Sequence, residues 1–139
     1  VEYRDLDLSR DEAREALKAV DPLMQPAPSD RLAKALAVLF AVTKARAESV
    51  DDTGFALRSF VECLRRYPGD LALKALAEWP HRPGGKWRPS VSEIVELMGQ
   101  YGYPERKALH DALGRAAAGG GTIRGMLNRA DMTARGEVG

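Results

Sequence analysis

One cysteine and two histidines are all that the 139 residues hold of the soft metal ligands and the usual nucleophile–base partners. Cys63, His81 and His110 lack metal-ligand spacing, and a single thiol excludes an internal disulfide. Cys63 paired with a distant histidine could in principle form a nucleophile couple, but a small helix residue beside the core stripe is the expected reading. No apolar run approaches the roughly 18 residues that a membrane span requires. There is no charged-then-apolar leader of signal type, so a protein of the cytoplasm, with no membrane partner, is expected. No stretch alternates at period two for the length of a strand, and no internal repeat is visible.

The glycine clusters also lack the chemistry they resemble. Gly84-Gly85-Lys86 would need a glycine at position 79 and Ser or Thr at 87 to be a phosphate loop, and both positions are tryptophan. The Gly119–Gly121 run fails the dinucleotide fingerprint at Arg124 and follows a helical pattern instead of a strand. Asp51-Asp52, and Glu93 with Glu96, are the close carboxylate pairs of the central segment, and caps and a solvated helix face account for them. No catalytic residue, metal or cofactor is therefore expected, and the chain reads as a non-enzymatic binding protein.

What is present is helix. At this length folding buries roughly two thirds of the chain's surface, enough for a core without staples. Ser9-Arg10-Asp11-Glu12 is a capping-box pattern that opens a short helix with a thin stripe of Ala13, Ala16, Leu17 and Val20, ended at Asp21-Pro22. Pro22, Pro26 and Pro28 then predict an extended linker. From a cap at Ser29 or Asp30, the residues Leu32, Ala35, Leu36, Leu39, Phe40 and Thr43 recur at helical spacing. Val38 and Val42 lie off that stripe, which predicts a central helix contacted on more than one side.

A third helix is expected from Thr53, with Leu57, Phe60, Val61 and Leu64 inward, and a fourth, short and buried, from a capping Asp70 to Trp79. Ser90-Val91-Ser92-Glu93 is a second capping box, and Val91, Ile94, Val95, Met98 and Tyr101 follow on one face. Glu105–Ala118 is the last helix of the body, with Leu109, Ala112, Leu113 and Ala116 inward. Three consecutive glycines after it lose too much backbone entropy to remain helical. The expected fold is all-α: a compact bundle of about five helices over 29–118, a detachable N-terminal arm and helix over 1–28, and a flexible Gly-rich tail over 119–139.

The net charge of +1 conceals a gradient. Residues 1–28 carry seven acids against four bases, net −3, and residues 29–115 eleven against fourteen, net +3. Within 63–90, Arg65, Arg66, Lys74, Arg82, Lys86 and Arg88 face only Asp70 and Glu78. Such a patch attracts phosphate or an acidic protein face. Only 6% of residues are aromatic, so the placing of two tryptophans in this segment carries information. Trp79 closes a buried helix and reads as core. Trp87 lies between Lys86 and Arg88 in a Pro/Gly-stiffened loop, where a lid over the bundle end and a contact surface are both open readings.

These residues resemble a family. A helix ending in Tyr67-Pro68, a short helix closing with Trp79, then Lys86-Trp87-Arg88-Pro89-Ser90 and a helix containing Glu93-Ile94 look like the core of small bacteriophage replication proteins that load or inhibit the replicative helicase. The resemblance covers about residues 32–113. It implies an all-helical body and a flexible C-terminal segment that touches the helicase, here Gly119–Gly139. The acidic N-terminal helix and its linker depart from the family pattern. On this reading the partner-binding residues are Arg65, Arg66, Arg82, Lys86, Trp87 and Arg88, with Ile123, Met126 and Leu127 as the apolar anchors of the tail. Two other classes remain open at this point. One is a nucleic-acid binding module using the 63–90 basic patch, and the other a phage-encoded inhibitor of a host nucleic-acid-processing complex such as a defence nuclease.

Overall fold

The computed structural model of the chain describes residues 8–46 and 53–119. It is all-α, with helices α1 (Arg10–Met24), α2 (Ser29–Val42), α3 (Thr53–Leu64), α4 (Gly69–Glu78), α5 (Val91–Gln100) and α6 (Tyr103–Ala118), and a 3-10 turn at Trp79–His81 between α4 and α5. Among the described residues no helix is long and apolar enough to cross a membrane. The chain divides into two units, Leu23–Tyr103 and a second made of Val1–Pro22 with Pro104–Gly139.

In the Leu23–Tyr103 unit, α2 packs on both α3 and α4, and α5 packs on α4 and α3. The helical spacing of Leu32, Leu36, Leu39 and Phe40 places all four in one buried stripe. They meet Phe60, Val61 and Leu64 of α3, Leu71, Ala72, Ala75 and Leu76 of α4, and Ile94, Leu97 and Met98 of α5. Phe40 and Phe60 meet edge to face at 6.2 Å, the arrangement that the ring quadrupoles favour.

Two helix starts differ from the sequence expectation in the same way. α2 and α4 open from Pro28 and Pro68, which act as N-caps with no side-chain cap bond, and Ser29 and Asp70 fall inside the first turn. The proline carbonyls accept the first helical bonds, from Leu32 and Ala72, but proline has no side-chain oxygen to accept from the first-turn N–H groups. Asp30 and Asp70 then sit where the helix dipole favours a negative charge.

The Pro-rich segment between α1 and α2 is extended, as expected, and it is tied down. The Gly69 amide donates to the Gln25 carbonyl at 2.8 Å, and Ala27 is buried. A Cβ on Gly69 would overlap the backbone of Ala27, so only glycine lets these two segments approach.

The other unit pairs α1 with α6. Ala13 is fully buried against Ala112, Leu113, Ala116 and Ala117, flanked by Leu8, Ala16, Leu17, Val20 and Leu109. The Arg10 Nε donates to the Ala117 carbonyl at 3.3 Å, and His110 Nε2 meets Asp21 at 2.6 Å. The first link joins the start of α1 to the end of α6 and the second the end of α1 to the middle of α6, so the helices run antiparallel. The expected five-helix bundle over 29–118 is therefore drawn differently: α2–α5 share one core, and the last helix belongs with the first. The thin alanine stripe of α1 finds a matching alanine-rich face on α6. The expected stop at Pro22 also moves. α1 continues to Met24, because a proline two residues from the end removes only one backbone bond. Residues 120–139, including the expected tail anchors Ile123, Met126 and Leu127, lie outside the described residues.

Candidate functional site

The loop joining α4 to α5 is built from consecutive tight turns. Arg82 donates its amide to the Trp79 carbonyl, Gly85 to Arg82 and Trp87 to Gly84, at 3.1, 2.8 and 3.2 Å. Gly85 is buried in the middle. A Cβ there would overlap the Trp79 carbonyl oxygen and lie 2.8 Å from that of Arg82. Gly85 is thus required for backbone packing and Gly84 for its left-handed φ of 78°, so the pair that mimics a phosphate loop in sequence serves the turn.

Two long-range ties fix the loop to the bundle. The Trp79 indole N–H donates to the Trp87 carbonyl at 2.8 Å. After α2, Thr43 turns to an extended conformation, and a parallel bridge forms between Lys44 and Trp87. In it the Lys44 amide donates to the Lys86 carbonyl at 2.7 Å and the Arg88 amide to the Lys44 carbonyl at 2.8 Å. These are backbone bonds, so the loop's position does not depend on the identity of its exposed side chains.

The two tryptophans divide as their environments dictate. Trp79 is 6% exposed and closes the core. Trp87 is 39% exposed, with the Lys86 ammonium 5.4 Å from its ring centre. The closing residue at this end of the bundle is Trp79, and the ring of Trp87 is the more exposed of the two.

The six cations of 63–90 do not form one patch. Arg65 and Arg66 are exposed beyond the end of α3, Arg65 within 3.4 Å of Glu62. The ten residues of α4 separate them from the Trp87 loop by about 15 Å. Lys74 lies over the Tyr101 ring at 4.4 Å and Arg82 over Trp79 at 5.7 Å. Burial, and then the Glu78 carboxylate, push the Tyr101 hydroxyl above its ordinary value, with Arg82 opposing. Arg88 is turned inward. Its guanidinium stacks over Phe40 at 4.0 Å and reaches the Phe40 carbonyl at 3.5 Å. α2 has no basic residue in its own last turn, and Arg88 brings a cation to the carbonyls there. Lys86 and Trp87 therefore remain as the outward pair, with Arg82 half-buried beside them.

Position 44 escaped the sequence reading, since no local pattern marks a backbone bridge between segments so far apart. α2 is contacted by both α3 and α4, as expected of a central helix, but not through Val38 and Val42. They are 65% and 60% exposed, so the face lying off the α2 stripe is open where a second contact is expected. Among the described residues no group of three or more His, Cys, Asp or Glu could hold a metal ion.

The loop's exit is set by the second capping box, which is present in full: Glu93 N–H to the Ser90 hydroxyl at 3.2 Å and Ser90 N–H to the Glu93 carboxylate at 2.9 Å. Arg46 reaches the same carboxylate at 2.8 Å. Burial raises the Glu93 pKa, but the Ser90 backbone N–H, the Arg46 guanidinium and the Ser90 hydroxyl together outweigh it, so the net shift is downward. A depressed carboxylate stabilises the folded state above its unfolded pKa, and that contribution is lost as pH falls through the folded value. Urea unfolding of Glu93→Gln should show a deficit near pH 7 that shrinks below about pH 4. Parallel stability profiles for the two proteins would contradict this assignment.

In comparisons with family models, curated proteins and solved structures, none matches this chain.

Proposed function

We propose that the protein is a non-enzymatic binding protein that engages a protein partner through the Trp87 loop. We further propose that this partner is a replicative helicase, with the protein acting on it as a phage-encoded loader or inhibitor. The observation that carries the binding reading is a large aromatic ring held 39% exposed on a backbone pinned at Lys44 and Trp79. Little ordering entropy remains to be lost when such a ring is buried, and tryptophan beside a cation has the composition of an interface hot spot. The choice of a helicase rests on the resemblance carried by Tyr67-Pro68, Trp79 and the Trp87–Ile94 run.

The test is co-elution of the purified protein with a bacterial replicative helicase, alongside titration of single-stranded DNA at several salt concentrations. The expected result is a helicase complex that changes little with salt, and weak DNA binding. Absence of a complex at micromolar concentrations would overturn the helicase assignment. DNA binding whose log affinity falls steeply with log salt would instead make the loop a nucleic-acid surface, with Lys86 and Arg82 on phosphates and Trp87 stacking on a base.

A further inference from the structure

We infer that the exposed face of α2, with the groove between α2 and α4, is a second docking surface, and that its occupant is an acidic amphipathic helix of a protein partner. The inference does not require that partner to be a helicase. Over its last two turns the solvent face of α2 consists of Ala37, Val38, Ala41 and Val42, with no polar side chain among them. Val38 and Val42, one turn apart, are the two most exposed large aliphatic residues described. They also line an almost wholly apolar groove whose far wall is Leu73, Leu76, Ala77 and Pro80. A ridge of two valines beside a trough is the receptor geometry that an amphipathic helix fills with residues at i, i+3, i+4 and i+7.

Charge selects the occupant. Among the described residues near the groove, Lys34 lies one turn before Val38, and Lys44 two residues after Val42. Lys86 is held to Lys44 by a 2.7 Å backbone bond, and Arg82 follows Pro80 by two residues. On the far wall Lys74 adjoins Leu73, Glu78 adjoins Ala77 and Asp70 lies one turn before Leu73. Five cations to two acids attract an acidic segment and oppose a second copy of the same face, because an isologous contact would set the two cationic rims against each other. The wider groove between α2 and α3 has no such preference, since Asp30, Arg58 and Glu62 line it together.

The probe is a fluorescent peptide of about 15 residues with leucines at i, i+4 and i+7 and glutamates on its other face, compared with the same peptide carrying lysine for glutamate. Fluorescence anisotropy should show the acidic peptide binding about tenfold or more tightly than the basic one, a preference that added salt weakens. Val38→Glu with Val42→Glu should reduce its affinity by about tenfold or more with an unchanged circular dichroism melt, since both side chains are exposed. Trp87→Ala should leave peptide affinity near the wild-type value, which separates this surface from the Trp87 contact. Equal binding of the two peptides, or affinity unaffected by the double substitution, would overturn the inference. So would sedimentation showing a wild-type dimer that the double substitution dissociates, because the occupant would then be a second copy.

Discussion

Trp79→Ala is expected to cost about 3–5 kcal/mol of folding free energy, the range for removing a large aromatic from a core. The side chain is buried at the junction of α4 and the loop, within the cluster that includes Leu76, Phe40 and Ile94. Domains of this size have about 5–15 kcal/mol in all, so the loss takes a large share of the unit's stability. Trp79→Phe separates packing from hydrogen bonding. It retains most of the buried ring but removes the donor to the Trp87 carbonyl, for an expected loss of about 1–3 kcal/mol. Denaturant unfolding followed by circular dichroism measures both. A Trp79→Ala protein unfolding at the wild-type midpoint would show that the loop closes the bundle without it.

Trp87→Ala should act on binding. Truncating an exposed aromatic anchor typically costs about 2 kcal/mol or more, near thirtyfold in affinity. The loop should keep its place, because the Lys44 bridge and the Trp79 bond both use backbone groups that alanine retains. Some stability is lost with the buried part of the ring, but less than at Trp79. The relevant measurement is partner affinity per folded molecule, by calorimetry on protein of verified melting temperature. A sharp fall in melting temperature with unchanged affinity per folded molecule would make Trp87 a lid and move the contact surface elsewhere.

The local physics of this chain was readable from its residues. The inward stripe of α2, the onset of α3 at Thr53 and both capping boxes follow from spacing and side-chain chemistry within a few positions, and each is found where expected. What failed was the pairing of distant segments. The alanine stripe of α1 looks too thin to hold a helix until α6 supplies an equally narrow face. Val38 and Val42 show that an apolar residue off the main stripe signals a surface as readily as a second contact. Arg88 is indistinguishable from Lys86 in sequence, yet the ring and carbonyl of Phe40 draw one inward while the other stays outside. The tail anchors depend on residues outside those described, and the helicase as partner rests on resemblance.

The Lys44–Trp87 bridge joins positions 43 apart in the chain, with α3 and α4 in between. Closing so long a segment costs chain entropy that the packing of those helices must offset. The Trp87 surface is therefore not a portable epitope. A fragment beginning after Arg46 would carry every residue of the loop yet lack its anchor at Lys44. A partner reading this surface would discriminate between an intact chain and a clipped or half-folded one without contacting the missing part.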